Sequence, residues 1–132
     1  MVYLLDTHVW IWLTSDETRL GPVTCEVLSD PTNGVLFSAA SSWELALKYQ
    51  LGKIELPSPP STYVPQHLRR QGISSLVVDH SHALAVGELP AVRHADPFDR
   101  LLVAQAQVLG ATLVTADDKL FAYDVDTLDA RT

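Results

Sequence analysis

Asp96-Pro97-Phe98-Asp99-Arg100-Leu101-Leu102-Val103-Ala104-Gln105-Ala106-Gln107-Val108-Leu109-Gly110-Ala111-Thr112-Leu113-Val114-Thr115-Ala116-Asp117 is the stretch that decides the fold. Asp96 is placed to cap a helix, Pro97 fits its first position, and Gly110 stands just past its end, so the helix spans Pro97–Leu109. Thr112–Thr115 follows as a short apolar, β-branched run, the signature of a strand. The same alternation runs back to the start of the chain. Val2–Leu5 reads as a buried strand, followed by a helix over Thr7–Leu13 and a second over Thr18–Ser29, with Gly21-Pro22 near its start and Asp30-Pro31 and Asn33-Gly34 closing it. Val35–Ser38 is the next strand, and a long helix runs from about Ser41 to Leu51, where Gly52 stops it. Pro57-Ser58-Pro59-Pro60-Ser61 is a rigid loop. Beyond it come a helix over Thr62–Gln71 with Pro65 in its first turn, a strand over Ile73–Val78, a short helix over Ser81–Glu88 and a loop over Leu89–Ala95. After the strand at Thr112–Thr115, Asp118–Tyr123 is a helical turn and Val125–Leu128 an edge strand. Strands alternating with helices imply right-handed crossovers and a mostly parallel sheet covered on both faces. The expected fold is a three-layer α/β/α sandwich.

The chain has 132 residues, enough for one domain over 1–132 with a core that needs neither disulfides nor structural metals. Nine Lys and Arg against sixteen Asp and Glu give a net charge of −7. With 47% apolar and only 19% charged residues, an acidic disordered chain is excluded. One cysteine, Cys25, excludes a disulfide framework and a Cys-based zinc site and fits a reducing cytoplasm. No apolar run reaches the ~18 residues of a membrane span, and Asp6 comes too early for a secretory signal. The acidic balance also argues against a protein that coats nucleic acid through a basic field. Action on a phosphate backbone would need positive charge from elsewhere, such as a bound metal ion.

The acids fall at telling places. Asp6 directly follows the first strand, Asp117 comes two residues after Thr115, Glu44 lies in the first turn or so of the helix leaving Val35–Ser38, and Asp99 lies in the first turn of the helix capped by Asp96. Residues just past the carboxyl ends of parallel strands share one edge, where ligands bind. Singly, each has a plainer account: Asp6, Asp96 and Asp117 as helix caps, Asp99 as a partner in capping, Glu44 as an i,i+4 ion pair with Lys48. Together they predict a confined group of carboxylates, flanked by apolar segments, that either holds its protons or binds a cation. All-oxygen donors favour Mg2+ or Mn2+ over zinc.

Four blocks make a family recognisable: Leu4-Leu5-Asp6-Thr7-His8-Val9, Ser41-Ser42-Trp43-Glu44-Leu45-Ala46-Leu47-Lys48, His94-Ala95-Asp96-Pro97-Phe98-Asp99-Arg100-Leu101-Leu102-Val103-Ala104-Gln105-Ala106, and Leu113-Val114-Thr115-Ala116-Asp117. In this order they resemble PIN domains, and more closely the VapC-like toxins of type II toxin–antitoxin pairs. The resemblance spans Val2 to about Tyr123. It implies a Mg2+- or Mn2+-dependent endoribonuclease, restrained by a cognate antitoxin protein. It also implies that Asp6, Glu44, Asp99 and Asp117 form the acidic quartet. On that reading Asp6 and Asp99 hold the principal metal, Glu44 and Asp117 complete the site directly or through water, and Asp96 is an additional acid that caps or adds an outer ligand. Thr115 resembles the hydroxyl residue that orients the carboxylates, and Thr7 is expected to act similarly. Water is the expected nucleophile, since no Ser/His/Asp or Cys/His spacing is present.

Other residues leave alternatives open. His8 either contacts substrate or packs; Arg100 either touches a phosphate or pairs with Asp96. His80 and His82 are expected at the surface, and Arg69-Arg70 on an exposed helix face. Trp10-Ile11-Trp12-Leu13 makes the first helix apolar nearly all round, which means burial or a strip that meets another subunit or the antitoxin. With a mean hydropathy of +0.11, at least a homodimer is expected. Two rival functions remain. A haloacid-dehalogenase-like phosphatase or receiver-type phosphoryl acceptor also uses a strand-end Asp with Mg2+. The phosphatase pattern, however, wants an acid where His8 stands, and the receiver wants an acidic neighbour that Asp6 lacks. A non-catalytic binding subunit would use the acids only as caps and would gain no thermal stability from Mn2+.

Overall fold

A computed structural model describes residues 1–92 and 96–132; His94, part of the third block above, lies outside them. Among the described residues five strands form one sheet: β1 (Val2–Leu5), β2 (Gly34–Ser38), β3 (Ser74–Leu76), β4 (Thr112–Thr115) and β5 (Thr127–Asp129). All neighbours pair in parallel, in the order β3-β2-β1-β4-β5. Leu4 stands opposite both Leu36 and Leu113, and Val114 opposite Leu128. The helices are α1 (Thr7–Ser15), α2 (Pro22–Ser29), α3 (Ala39–Gln50), α4 (Pro60–Gln71), α5 (His80–Ala85) and α6 (Pro97–Leu109), with short 3-10 turns at Glu17–Arg19, Val86–Glu88 and Asp118–Ala122.

Side-chain alternation along the strands builds two cores, one on each face. Tyr3, Leu5, Phe37 and Val114 point to the first, where they meet Val9 and Trp10 of α1, Leu45 of α3 and Tyr63, Val64 and Leu68 of α4. Leu4 and Leu113 point to the second and meet Leu102, Val103 and Ala106 of α6. Trp10 is the anchor of the first core. Its ring lies 4.7 Å from Phe37 and 5.9 Å, edge-on, from Tyr63, and its Nε1 donates to Gln71 Oε1 at 2.9 Å. The aromatic helix of the sequence is therefore mostly core: Val9 and Trp10 are fully buried, while Ile11, Trp12 and Leu13 are half-buried against the same cluster. Arg19 lies over the Trp12 ring at 4.4 Å.

α6 and β4 have the bounds expected from the sequence. Asp96 accepts from the N–H of Phe98 and Asp99, and Gly110 ends the helix at φ 64°, a conformation that a side chain resists. Elsewhere the boundaries move for local reasons. Ser38 accepts from Ala40 N, so α3 starts at Ala39, and Glu44 falls in the second turn rather than the first. α4 begins at Pro60, which places Pro65 in its second turn. The expected helix over Thr18–Ser29 divides into a 3-10 turn and α2, with Pro22 at the start of the true helix. The third strand is only Ser74–Leu76, and the last is shifted to Thr127–Asp129.

The strand order matters most for function. Successive crossovers step outward from β1 to β2 to β3, and the chain then returns to β4 on the other side of β1. That reversal opens a crevice at the carboxyl ends of β1 and β4, where ligands bind in open parallel sheets.

Candidate active site

Asp6 occupies that crevice. Its N–H donates to Val114 O at 2.9 Å, carrying the β1–β4 ladder one residue past the strand. Its side chain is buried and held on two sides: Oδ1 accepts from Thr7 N at 2.7 Å, and Oδ2 from Thr115 Oγ1 at 2.7 Å. His8 Nδ1 lies 3.4 Å from the same Oδ2. His8 Nε2 accepts from Ala116 N at 3.1 Å, so the neutral ring carries its proton on Nδ1, toward Asp6. His8 is thus a brace between Asp6 and the backbone after β4, and its ring packs edge-on against Trp12 at 5.0 Å. Burial nevertheless raises the Asp6 pKa, against the lowering effects of His8, Thr115 and Thr7, and Glu44 adds to the rise.

Thr115 joins two of the acids. Its hydroxyl gives its proton to Asp6 and accepts from Asp117 N at 3.0 Å. Asp117 Oδ1 in turn accepts from Lys119 N, capping the next 3-10 turn. Thr7 performs the matching task for Glu44, which projects from α3 into the buried side of the crevice. Thr7 Oγ1 lies 2.6 Å from Glu44 Oε1 and 2.8 Å from Ser41 Oγ. A carboxylate only accepts and Thr7 has one proton, so Thr7 donates to Glu44 and Ser41 donates to Thr7. Lys48 Nζ donates to Glu44 Oε2 at 2.6 Å, and that bond raises the Lys48 pKa. Ser41 escaped the sequence reading; its place one turn before Glu44 on the same helix face is the signal that could have found it.

Asp99, in the first turn of α6, registers how crowded the site is. Its pKa is pushed up to about 8, first by desolvation and then by the charges of Asp6, Asp96, Asp117 and Glu44. Of the four acids expected at one edge, Asp6 and Asp117 are joined through Thr115, and Glu44 reaches Thr7 beside Asp6. Asp96 is exposed, and its Oδ1 is committed to the cap, accepting from Phe98 N at 2.8 Å and Asp99 N at 3.1 Å.

Two expectations need correction. Arg100 does not pair with Asp96: its guanidinium donates to Pro90 O at 2.9 Å and Tyr123 Oη at 3.1 Å, tying the loop before α6 to the chain after β4. His82 is not at the surface. It is buried as the third residue of α5, in a capping box with Asp79, and its Nδ1 accepts from Asp79 N at 3.2 Å. The Asp79-x-x-His82 spacing was the available signal. His82 Nδ1 also lies 3.2 Å from Gln105 Nε2, and Gln105, wholly buried on α6, accepts from Ser38 Oγ at 2.5 Å and donates to Val77 O at 3.2 Å.

Among the described residues no three of the acids close into a ready ligand cage. Asp6 and Glu44 are buried, Asp99 and Asp117 half-buried and Asp96 exposed, and all offer hard oxygen donors. That donor set fits a divalent cation of the Mg2+ type, which keeps much of its own water and takes only a few carboxylates directly. It offers no sulfur and no paired histidines for a softer metal.

The fold is thus a parallel sheet covered by helices, with Asp6 and Asp117 just past the carboxyl ends of β1 and β4. Residues 3–126 match the PIN domain model, and the chain belongs to the PIN-domain family. Ribonuclease VapC22 of Mycobacterium tuberculosis is 36% identical to it, over 91% of this chain and 90% of that protein. Ribonuclease VapC16 of the same organism is 49% identical over 59 residues, which are 45% of this chain and 42% of that relative's length. Among solved structures, VapBC2 from Rickettsia felis bound to a promoter DNA fragment superposes with a TM-score of 0.71 at 19% identity, covering 97% of this chain and 98% of that one, a likeness of fold.

Proposed function

We propose that this chain, as one domain, is a metal-dependent endoribonuclease that acts as the toxin of a toxin–antitoxin pair in the cytoplasm. The observation that carries the reading is the buried Asp6 at the carboxyl end of β1, held by Thr7 N and Thr115 Oγ1, with the buried Glu44 bonded to Thr7 beside it. Such a site is unfavourable by itself and becomes favourable around a cation. Asp6 and Asp99 would hold Mg2+ or Mn2+, with Glu44 and Asp117 completing the set. The ion, when bound, supplies charge that offsets the carboxylates and makes water a better nucleophile toward a phosphodiester. The chain's own part is orientation. Thr115 and His8 fix Asp6, Thr7 and Lys48 fix the two oxygens of Glu44, and the Asp96 cap fixes the first turn of α6, from which Asp99 projects. The names of the two mycobacterial relatives support RNA as substrate, and the VapBC2 assembly supports a small antitoxin as partner. Exposed Leu47, Leu51, Val77 and Leu84 support self-association as well. No helix among the described residues is long and apolar enough to cross a membrane.

The test is direct. The purified chain, freed of any partner, is incubated with single-stranded RNA in MnCl2 and in EDTA. Cleavage in Mn2+ and none in EDTA is expected; intact RNA in both would overturn the reading.

A further inference from the structure

Trp43 is 60% exposed, although it immediately precedes the buried Glu44. It is the one aromatic among the large apolar side chains left in solvent, counting the described residues. Its ring meets Phe98 edge-to-face, with centroids 4.7 Å apart and planes at 70°. Phe98 immediately precedes Asp99. The pair therefore joins α3 to α6, each ring one residue before the acid its helix contributes. Neither ring belongs to either apolar core, so the fold does not account for their presence there.

Charge sets a second condition. The protein carries a net −7, and Arg100, next to the acids, is occupied by Pro90 and Tyr123. Among the described residues, Lys48 and Arg100 beside the acids are already engaged, by Glu44 and by Pro90 and Tyr123, so an uncharged contact would add grip at this edge. Stacking of a base on an aromatic ring is one such contact, and it tolerates any sequence because every base has a π-face. We propose that Trp43, backed by Phe98, is a stacking platform for an unpaired nucleobase next to the phosphodiester that is cut. The proposal rests on the ribonuclease reading above and makes the substrate single-stranded at that position, since a paired base offers no free face.

The experiment uses the full chain in Mn2+ with a short single-stranded oligoribonucleotide, and a series in which each position in turn carries an abasic ribose. Trp43→Ala should raise KM about ten-fold or more, with kcat and Tm unchanged, and Trp43→Phe should restore most of the loss. The unaltered chain should suffer a similar penalty when the abasic ribose occupies one position beside the cut, and Trp43→Ala should be indifferent to that abasic site. An unmoved KM in Trp43→Ala overturns the platform alone, as does an abasic penalty that persists in full. A change in molecular mass by light scattering also overturns it, because Trp43 would then be a contact between protein chains. Absence of any Mn2+-dependent cleavage by the unaltered chain overturns the ribonuclease reading and the platform with it.

Discussion

Two buried polar groups lie on the carboxyl side of the sheet, and they are built on opposite terms. In the first, Ser38, Gln105, His82 and the Val77 carbonyl exchange hydrogen bonds between neutral groups at the junction of β2, α5 and α6. Each donor meets an acceptor, and no net charge is buried. In the second, around Asp6 and Glu44, each carboxylate oxygen described above has a donor, yet among the described residues Lys48 is the charged group that offsets the acids, the neutral His8 only bracing Asp6. A satisfied neutral network rigidifies a fold. Concentrated like charge weakens one unless something else arrives to balance it. The contrast separates residues that hold the structure from residues that await a ligand, although both sets are polar, buried and close together.

The contrast can be tested by breaking each side in turn. The largest effect is expected from Asp6→Asn, which should abolish metal-dependent RNA cleavage while circular dichroism and cooperative melting remain native. Full activity in this variant would remove Asp6 from the mechanism. Gln105→Leu should do the reverse. It deprives Ser38 and His82 of a partner inside the core, so a loss of about 1–3 kcal/mol is expected. Melting should show it as a Tm lower by several degrees, with kcat little changed. A smaller effect should appear in the pH dependence of stability without metal. Asp99 holds its proton to about pH 8 in the folded chain but releases it near 3.8 when unfolded. Between those values the folded state binds more protons, so stability should fall as pH rises from about 4 to about 8. The raised Asp6 pKa acts in the same direction. Melting in EDTA across this range should show the slope, Mn2+ should flatten it, and Asp99→Asn should remove most of it. The smallest change belongs to Lys48→Met. The Lys48 side chain is 45% exposed, so its loss should alter stability by less than about 1 kcal/mol, as a denaturant titration would show.

At α6 the sequence spoke through local chemistry and was accurate. The cap at Asp96, the proline after it and the glycine at position 110 delimit α6 because each acts on its own backbone. The meeting of Asp6 with the end of β4 was also legible, because a parallel sheet fixes where strand ends go. The readings that missed depend partly on local starts at Pro22, Ser38 and Pro60 and partly on contacts between distant segments. Ser38 could be seen as a possible cap only once the end of β2 was known, and that shift moved Glu44 by a turn. His82 looked like a surface residue because nothing near it in the chain announces Gln105, which comes from another helix. Arg100 has Asp96 four residues before it, the spacing of a helical pair, yet the Pro90 carbonyl and the Tyr123 hydroxyl hold its guanidinium instead.

β1 and β4 lie side by side in the sheet, but the hydrogen bond from Thr115 to Asp6 spans 109 positions of sequence. During synthesis the amino-terminal strand emerges with Asp6 long before the segment that will orient it has been translated. A chain that ends before Thr115 therefore lacks both the hydroxyl that orients Asp6 and the strand that lies beside it.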